Sequence, residues 1–288
     1  MVKLVTVATH SESYFPWLQE SCKRYNTNLE ILGWGEKWQG YTWKFTLMLN
    51  YLKTLDPEEL VCFVDGYDVL LLRPLDEIQS YYENINKISK KKIIIGIDLF
   101  DNELYKSIVN FYFSSCNNFN INSGVYIGKA KDLFEIISTA KGSSDNKADD
   151  QVIITKYCCA NSDIFYIDKD STFILNFNNT DEIGNNPNIK IKKNNNNFSL
   201  SYKNAKPFFV HGPGNTEMFY LLKKLNYNIT DEQIAQIKSK IKNTHLNKCM
   251  YYAKEILSTY YFIIIIIIIL IIFLYYRKNN FIANTIRK

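Results

Sequence analysis

The run Leu60-Val61-Cys62-Phe63-Val64-Asp65-Gly66-Tyr67-Asp68-Val69-Leu70-Leu71-Leu72 constrains this 288-residue chain more than any other stretch. Its apolar, partly β-branched opening forms a buried strand. At the strand's end stand two carboxylates, Asp65 and Asp68, three positions apart around a Gly and a Tyr. Carboxylate is a hard oxygen ligand suited to Mn²⁺ or Mg²⁺, ions that commonly bridge a protein to a diphosphate. Ligands of open α/β sheets sit beyond the carboxyl ends of strands, where this pair falls. An ordinary Asp-Gly turn after a strand accounts for the same letters, so the rest of the chain has to decide.

The remaining segments alternate between strand and helix signals. Val2 to Thr9 is β-branched and reads as a first strand, followed by a helix from Tyr14 to Tyr25 with Pro16 in its first turn. Leu29 to Gly33 is a second strand. Thr42 is expected to cap a helix from Trp43 to about Leu55. After the carboxylate strand come a helix from Leu75 to about Ile85 and a buried strand over Ile93 to Ile97. Asn120 to Gly128 reads as a strand entered through a Gly-containing turn. Leu133 to Ala140 and Asp149 to Tyr157 are helical, and Ile164 to Ile167 and Thr172 to Leu175 are strands. Two acids opening a helix, Asp149 and Asp150, suit its macrodipole. The Asn-rich stretch from Asn176 to Asn204 reads as a surface excursion. Alternating βα units of this kind make an α/β sheet.

Pro207-Phe208-Phe209-Val210-His211-Gly212-Pro213-Gly214 repeats the pattern of the carboxylate strand. An apolar strand ends at one polar side chain, followed by glycines that let backbone approach a ligand. A histidine there is either structural or a borderline ligand suited to Mn²⁺.

Composition excludes several classes. The net charge of +5 is scattered, so nucleic acid is not an expected partner. The six cysteines have no C-x-x-C spacing, which indicates neither a zinc site nor a redox motif, and no disulfide framework is expected. Ile256 to Tyr276 is 21 residues without a charge, including seven consecutive isoleucines, and tyrosines flank both ends. That length suits a bilayer core of about 30 Å and predicts a C-terminal transmembrane helix. The expected domains are 1–230, a helical linker over 231–255, the anchor over 256–276 and a basic tail over 277–288. Basic residues on both sides leave orientation open. Without an N-terminal signal the simplest expectation is a single-pass membrane protein whose domain faces the cytosol.

Six of these landmarks, in order, resemble the glycosyltransferase domain of the multifunctional procollagen lysyl hydroxylases and its giant-virus relatives. Val5 to Thr9 is similar to the family's first strand, and Gly33-Trp34-Gly35-Glu36-Lys37-Trp38 to its G-x-G-E-x-W turn. Asp65-Gly66-Tyr67-Asp68 resembles its D-x-x-D metal motif, and Asn122-Ser123-Gly124 with Ile127-Gly128 its N-S-G-x-x-I-G segment. Asp149-Asp150-Gln151 resembles the end of a poly-Asp stretch, and His211-Gly212 with Gly214 and Thr216 the H-G-N-G-P-T segment. Departures from the pattern include a Gly-rich segment shortened to residues 39–43, an acid run cut to two, no tryptophan around Asp98 to Tyr105 where the family has one, and Glu217 in place of a basic residue. These lie around the sugar and acceptor.

The resemblance implies a Rossmann-like, GT-A-type α/β fold with a mixed central sheet. It implies a Mn²⁺-dependent enzyme, with Mg²⁺ as a possible substitute, that uses a UDP-glucose or UDP-galactose donor and a protein or glycan hydroxyl acceptor such as collagen-like hydroxylysine. Asp65, Asp68 and His211 then hold the metal, and Asp149 or Asp150 acts at the sugar. Val7, Thr9 and Tyr67 meet the uridine, Lys44, Gly212 and Gly214 the diphosphate, and Asn122 and Gln151 the sugar hydroxyls. Three alternatives stand beside this: a non-catalytic UDP-sugar-binding module on a membrane, a membrane scaffold with no ligand, and a dehalogenase-type hydrolase. The last requires acids two apart, not three.

Overall fold

The computed structural model describes residues 2–99, 106–107, 110, 115–146, 148–177, 188–194, 197–214, 216–242, 250, 260–261, 265–272 and 275. The chain divides into two compact units, Met1–Ile234 and Ala235–Lys288. In the first, a six-stranded sheet has the order β2-β1-β3-β6-β5-β7. Its strands are β1 (Lys3–Val7), β2 (Leu29–Leu32), β3 (Leu60–Asp65), β5 (Ile93–Ile97), β6 (Ile121–Lys129) and β7 (Phe165–Asp168). β6 pairs antiparallel with both β3 and β5, while the other pairings are parallel. This is the α/β sheet that the alternating elements predict, mixed as the resemblance implies.

Side chains alternate across this sheet with the period of two that a pleated strand imposes. Leu4, Cys62 and Val64 enter one core cluster with Phe15 and Leu18 of α1 (Phe15–Arg24) and with Ile78 of α3 (Leu75–Ser89). Val5, Val7, Val61 and Phe63 enter the other. It also holds Phe45 and Met48 of α2 (Trp43–Leu52), Leu133 of α4 (Ala130–Lys141) and Ile154 of α5 (Asp150–Ala160). Burying both faces explains why β3 reads as an unbroken apolar run. Phe63 stacks on Tyr126 with ring centroids 4.9 Å apart.

The apolar run 60–72 is not one strand. It breaks at Gly66, and its second half is β4 (Val69–Leu71), which leaves the large sheet. With β8 (Ile174–Asn176) and β11 (Phe209–His211) it builds a three-stranded sheet of order β4-β11-β8. A Cβ on Gly66 would lie 2.9 Å from the Val7 carbonyl oxygen, so glycine lets the chain turn tightly over the end of β1.

Several expectations are corrected. Thr42 gives α2 no side-chain cap, because its hydroxyl donates to the Asp145 carbonyl at 2.6 Å. Gly124 lies inside β6, not in a turn before it. Part of the Asn-rich excursion is a regular hairpin, β9 (Ile189–Asn194) and β10 (Asn197–Tyr202), whereas 178–187 falls outside the described residues. A last short helix, α6 (Phe219–Lys224), precedes helical residues at 231–242. The apolar segment 256–276 lies largely outside the described residues. Among the described residues no helix is long and apolar enough to cross a membrane.

The loop joining β7 to β8 is organised by one buried carboxylate. Asp168 accepts backbone N–H bonds from Thr172, Phe173 and Ile174 at 3.2, 2.8 and 3.1 Å. Removing it strands three donors away from water, and each such group costs about 1–3 kcal/mol. Asp168→Ala is therefore expected to lower unfolding free energy by about 3 kcal/mol or more in urea titrations. A loss under about 1 kcal/mol would show that the loop holds without it.

Candidate metal and donor site

The small sheet brings the acids and the histidine together. β11 runs antiparallel to β4 with His211 opposite Val69, and the Gly212 amide donates to the Asp68 carbonyl at 2.8 Å. That register sets the His211 imidazole beside Asp68, while Asp65 arrives from the end of β3. Ligand atoms of Asp65, Asp68 and His211 all lie within 4.8 Å of one another. Donors about 2.1 Å from one Mg²⁺ are at most about 4.2 Å apart, so the set closes with small rotations.

The histidine nitrogen Nε2 and Asp68 Oδ1 approach to 3.3 Å. Their alignment is not that of a hydrogen bond, and both atoms are buried without a hydrogen-bond partner among the described residues. Buried polar atoms rarely stay unpaired, and an imidazole nitrogen and a carboxylate oxygen facing one space fit a cation, whether a proton on the ring or a divalent ion. The other histidine nitrogen is held by Asn176, at 2.9 Å from Nδ1 to Oδ1. Gly124 makes room for the ring, since a Cβ there would lie 2.4 Å from His211 Cε1.

Charge is concentrated here. Buried Lys44, on the first turn of α2, places Nζ 2.8 Å from both Asp65 Oδ1 and Asp150 Oδ2. Burial works against the ammonium, but Asp150 and Asp65 outweigh it and hold Lys44 well above its usual range. Burial pushes the Asp65 carboxyl up to about 6 against the pull of Lys44, with Asp68 and Asp150 adding to the rise. Burial opposes protonation of His211 too, yet Asp68 keeps its pKa above the ordinary imidazole value. Asp150 also accepts from Ser123 Oγ at 2.9 Å.

The family described as the PLOD GT domain matches residues 1–237. This chain belongs to that family. A procollagen-lysine,2-oxoglutarate 5-dioxygenase of Drosophila melanogaster is 31% identical over 171 residues, 54% of this chain and 22% of the fly protein. A multifunctional procollagen lysine hydroxylase and glycosyltransferase of Caenorhabditis elegans is 26% identical over 238 residues, 73% of this chain and 30% of the worm protein. The chain thus spans under a third of the length of these curated relatives. A solved glycosyltransferase involved in glycosylation of the PBCV-1 major capsid is a looser likeness. It is 13% identical, with a TM-score of 0.42 over 83% of this chain and 98% of its own.

In this PLOD-type domain the other site residues fall into three groups. Tyr67 crosses the end of β1, where its hydroxyl accepts from the Thr9 amide at 2.9 Å. Thr9 and Tyr67 are thus together, whereas the Val7 side chain belongs to the core and only its backbone reaches this edge. Lys44, expected at a diphosphate, is engaged by two carboxylates. Gly212, expected to offer its amide to the same group, spends it on Asp68. Gly214 adopts φ +67°, the left-handed region that favours glycine.

Around the third cluster the sequence reading missed a residue. Asn122 Nδ2 and Gln151 Nε2 donate to the two oxygens of Asp98, at 2.8 and 3.3 Å. Asp149 caps α5, accepting from the Gln151 and Val152 amides, while Asp150 faces Lys44. Asp98 carries no role in the sequence pattern, nor does Asn176, and Ser123 enters only as part of the N-S-G segment. The available signal was the same as at Asp65, a polar residue beside the end of an apolar strand. Gly124→Ala is expected to displace the imidazole and weaken divalent-ion binding at least tenfold by calorimetric titration. Binding at the wild-type level would show that the ring has room to spare.

Proposed function

We propose that this domain moves a hexose, glucose or galactose, from a UDP-sugar to a hydroxyl acceptor with the help of Mn²⁺, for which Mg²⁺ substitutes. The observation that carries this reading is the unpartnered pair His211 Nε2 and Asp68 Oδ1, buried and facing one space beside Asp65. Two carboxylates and one imidazole form a mixed hard and borderline set, which suits Mn²⁺. When bound, the ion supplies Lewis-acid neutralisation of the charge that grows on the departing diphosphate. Membership in the PLOD family supports the same chemistry.

The chain's own residues divide the remaining work. Tyr67 and Thr9 bound the place for uracil and ribose at the end of β1. Lys44 bonds and aims both Asp65 and Asp150, and its ammonium opposes the rise that burial imposes on the Asp65 carboxyl. Asp150, fixed by Lys44 and Ser123, is the better placed of the two acids to orient the sugar or accept the acceptor's proton. Asp149 steadies the helix that carries it. Asn122 and Gln151, through Asp98, line the side where sugar hydroxyls are bound. The worm relative's name joins procollagen lysine hydroxylase to glycosyltransferase, and we infer a collagen-type hydroxylysine or its galactosyl derivative as one acceptor, with other protein or glycan hydroxyls equally open.

A screen of nucleotide sugars for UDP release tests the reaction. Turnover is expected with UDP-glucose or UDP-galactose, abolished by chelator and restored by Mn²⁺. Asp68→Ala is expected to lower it by about three orders of magnitude while leaving metal-free melting nearly unchanged. Full turnover in that variant would remove the ion site.

The uncharged run 256–276 is proposed as a membrane anchor, with 231–255 as linker and 277–288 as a basic tail. Its support is the sequence and the exposure of Ile266 to Ile272, each 50% or more open to solvent. Such a patch is unfavourable in water. The full chain is expected to float with phosphatidylcholine vesicles, and Ile266→Lys with Ile269→Lys to stay in solution, as lysine at a helix centre costs about 3 kcal/mol. Flotation of both proteins alike would refute the anchor.

A further inference from the structure

The geometry points to Asn176 as a positioning residue that fixes the His211 tautomer and so sets how tightly the site holds its ion. Asn176 is fully buried at the end of β8, in register with His211 on the parallel neighbour β11. Its amide is clamped at both ends. Nδ2 donates to the Ile97 carbonyl at 2.7 Å, and Oδ1 lies 2.9 Å from His211 Nδ1. A carbonyl can only accept, so the NH₂ end of the amide must face Ile97 and the oxygen must face the imidazole. The oxygen in turn can only accept, so His211 Nδ1 carries the proton. In the neutral ring, the form that binds a metal, the lone pair is then on Nε2, the atom that faces Asp68 without a hydrogen bond.

Two glycines keep this relay in place. A Cβ on Gly96 would lie 3.1 Å from Asn176 Nδ2 and 2.3 Å from Ile174 Cγ2. One on Gly124 would lie 2.9 Å from His211 Nδ1. Backbone on both sides therefore approaches the amide and the ring closely enough to hold them. The relay ends on the carbonyl of Ile97, the residue before Asp98. A single strand end, that of β5, thus braces the ion ligand through its backbone and meets Asn122 and Gln151 through its next side chain. Groups that orient a metal-bound histidine are typically worth 10–100-fold in metal affinity.

This inference rests on the ion-site reading above, and its test separates the two. Mn²⁺ affinity is measured by calorimetry and by the electron-spin signature of nitrogen coordination, with metal-free melting as the control for folding. Asn176→Ala is expected to bind Mn²⁺ about 10–100-fold more weakly and to lose the nitrogen signature. Asn176→Leu keeps the volume but offers Nδ1–H no acceptor, and is expected to lose affinity and the nitrogen signature as the alanine variant does. Unchanged affinity in the alanine variant, or wild-type affinity in the leucine variant, overturns the assignment while leaving the ion site intact. No Mn²⁺ binding by the wild type overturns both. Should the alanine variant fail to fold, nitrogen NMR of the metal-free wild type at alkaline pH decides. A proton on His211 Nδ1 is expected, and a proton on Nε2 refutes the relay.

Discussion

The site depends on one backbone pairing, the antiparallel ladder between β4 and β11. Gly212 donates to the Asp68 carbonyl, and the register places His211 opposite Val69. Two strands separated by more than 130 positions in sequence thereby deliver an imidazole and a carboxylate to the same few ångströms. A slip of one residue in that ladder would turn His211 to the opposite face of the small sheet, because side chains alternate with period two. The turn at Gly66 is the other half of the device. It lets Asp65 finish the large sheet and Asp68 start toward the small one, so the acidic pair spans the junction of two sheets.

Charge is arranged around that junction so that little of it is left uncompensated. Several carboxylates converge where burial disfavours ionisation, as the upward push on Asp65 shows. Lys44 answers two of them with one buried ammonium. Desolvated acids of this kind are stable only when paired or when they share a cation. Asp68 and His211 face each other at 3.3 Å without a hydrogen bond, and there a second cation fits. Lys44 and a metal ion are thus complementary solutions to the same electrostatic problem. One is built into α2 and the other is acquired from solution.

The reversed strand β6 supplies the other edge. Because it runs against β3 and β5, its first residues lie level with their last ones, and Gly96 pairs with Asn122. Asn122, Ser123 and Gly124 therefore reach the site from a strand beginning, each doing something different. Asn122 meets Asp98, Ser123 steadies Asp150, and Gly124 leaves space for the histidine ring. A wholly parallel sheet would bring only strand ends to this edge and would lose that set.

Much of this was legible in the letters. The buried strands, the helices between them, the acids at the end of β3 and the histidine at the end of β11 follow from apolar periodicity and from polar residues that interrupt it. These are local properties, carried by neighbours a few positions apart. What local pattern cannot carry is partnership across the sheet. The resemblance sets Lys44 at a diphosphate, and the fold holds it on Asp65 and Asp150. Gly212 looked like an open donor and proved to be committed to Asp68. Asn176, Asp98 and Ser123 resembled many other polar residues until the ladder set them against their partners. The sequence by itself determined most of the strands, though not the β9–β10 hairpin, and where their polar tips fall, because burial and backbone propensity act within each segment. Only the tertiary structure decided which tips meet, because register and strand direction are settled by hydrogen bonds between segments remote in the chain.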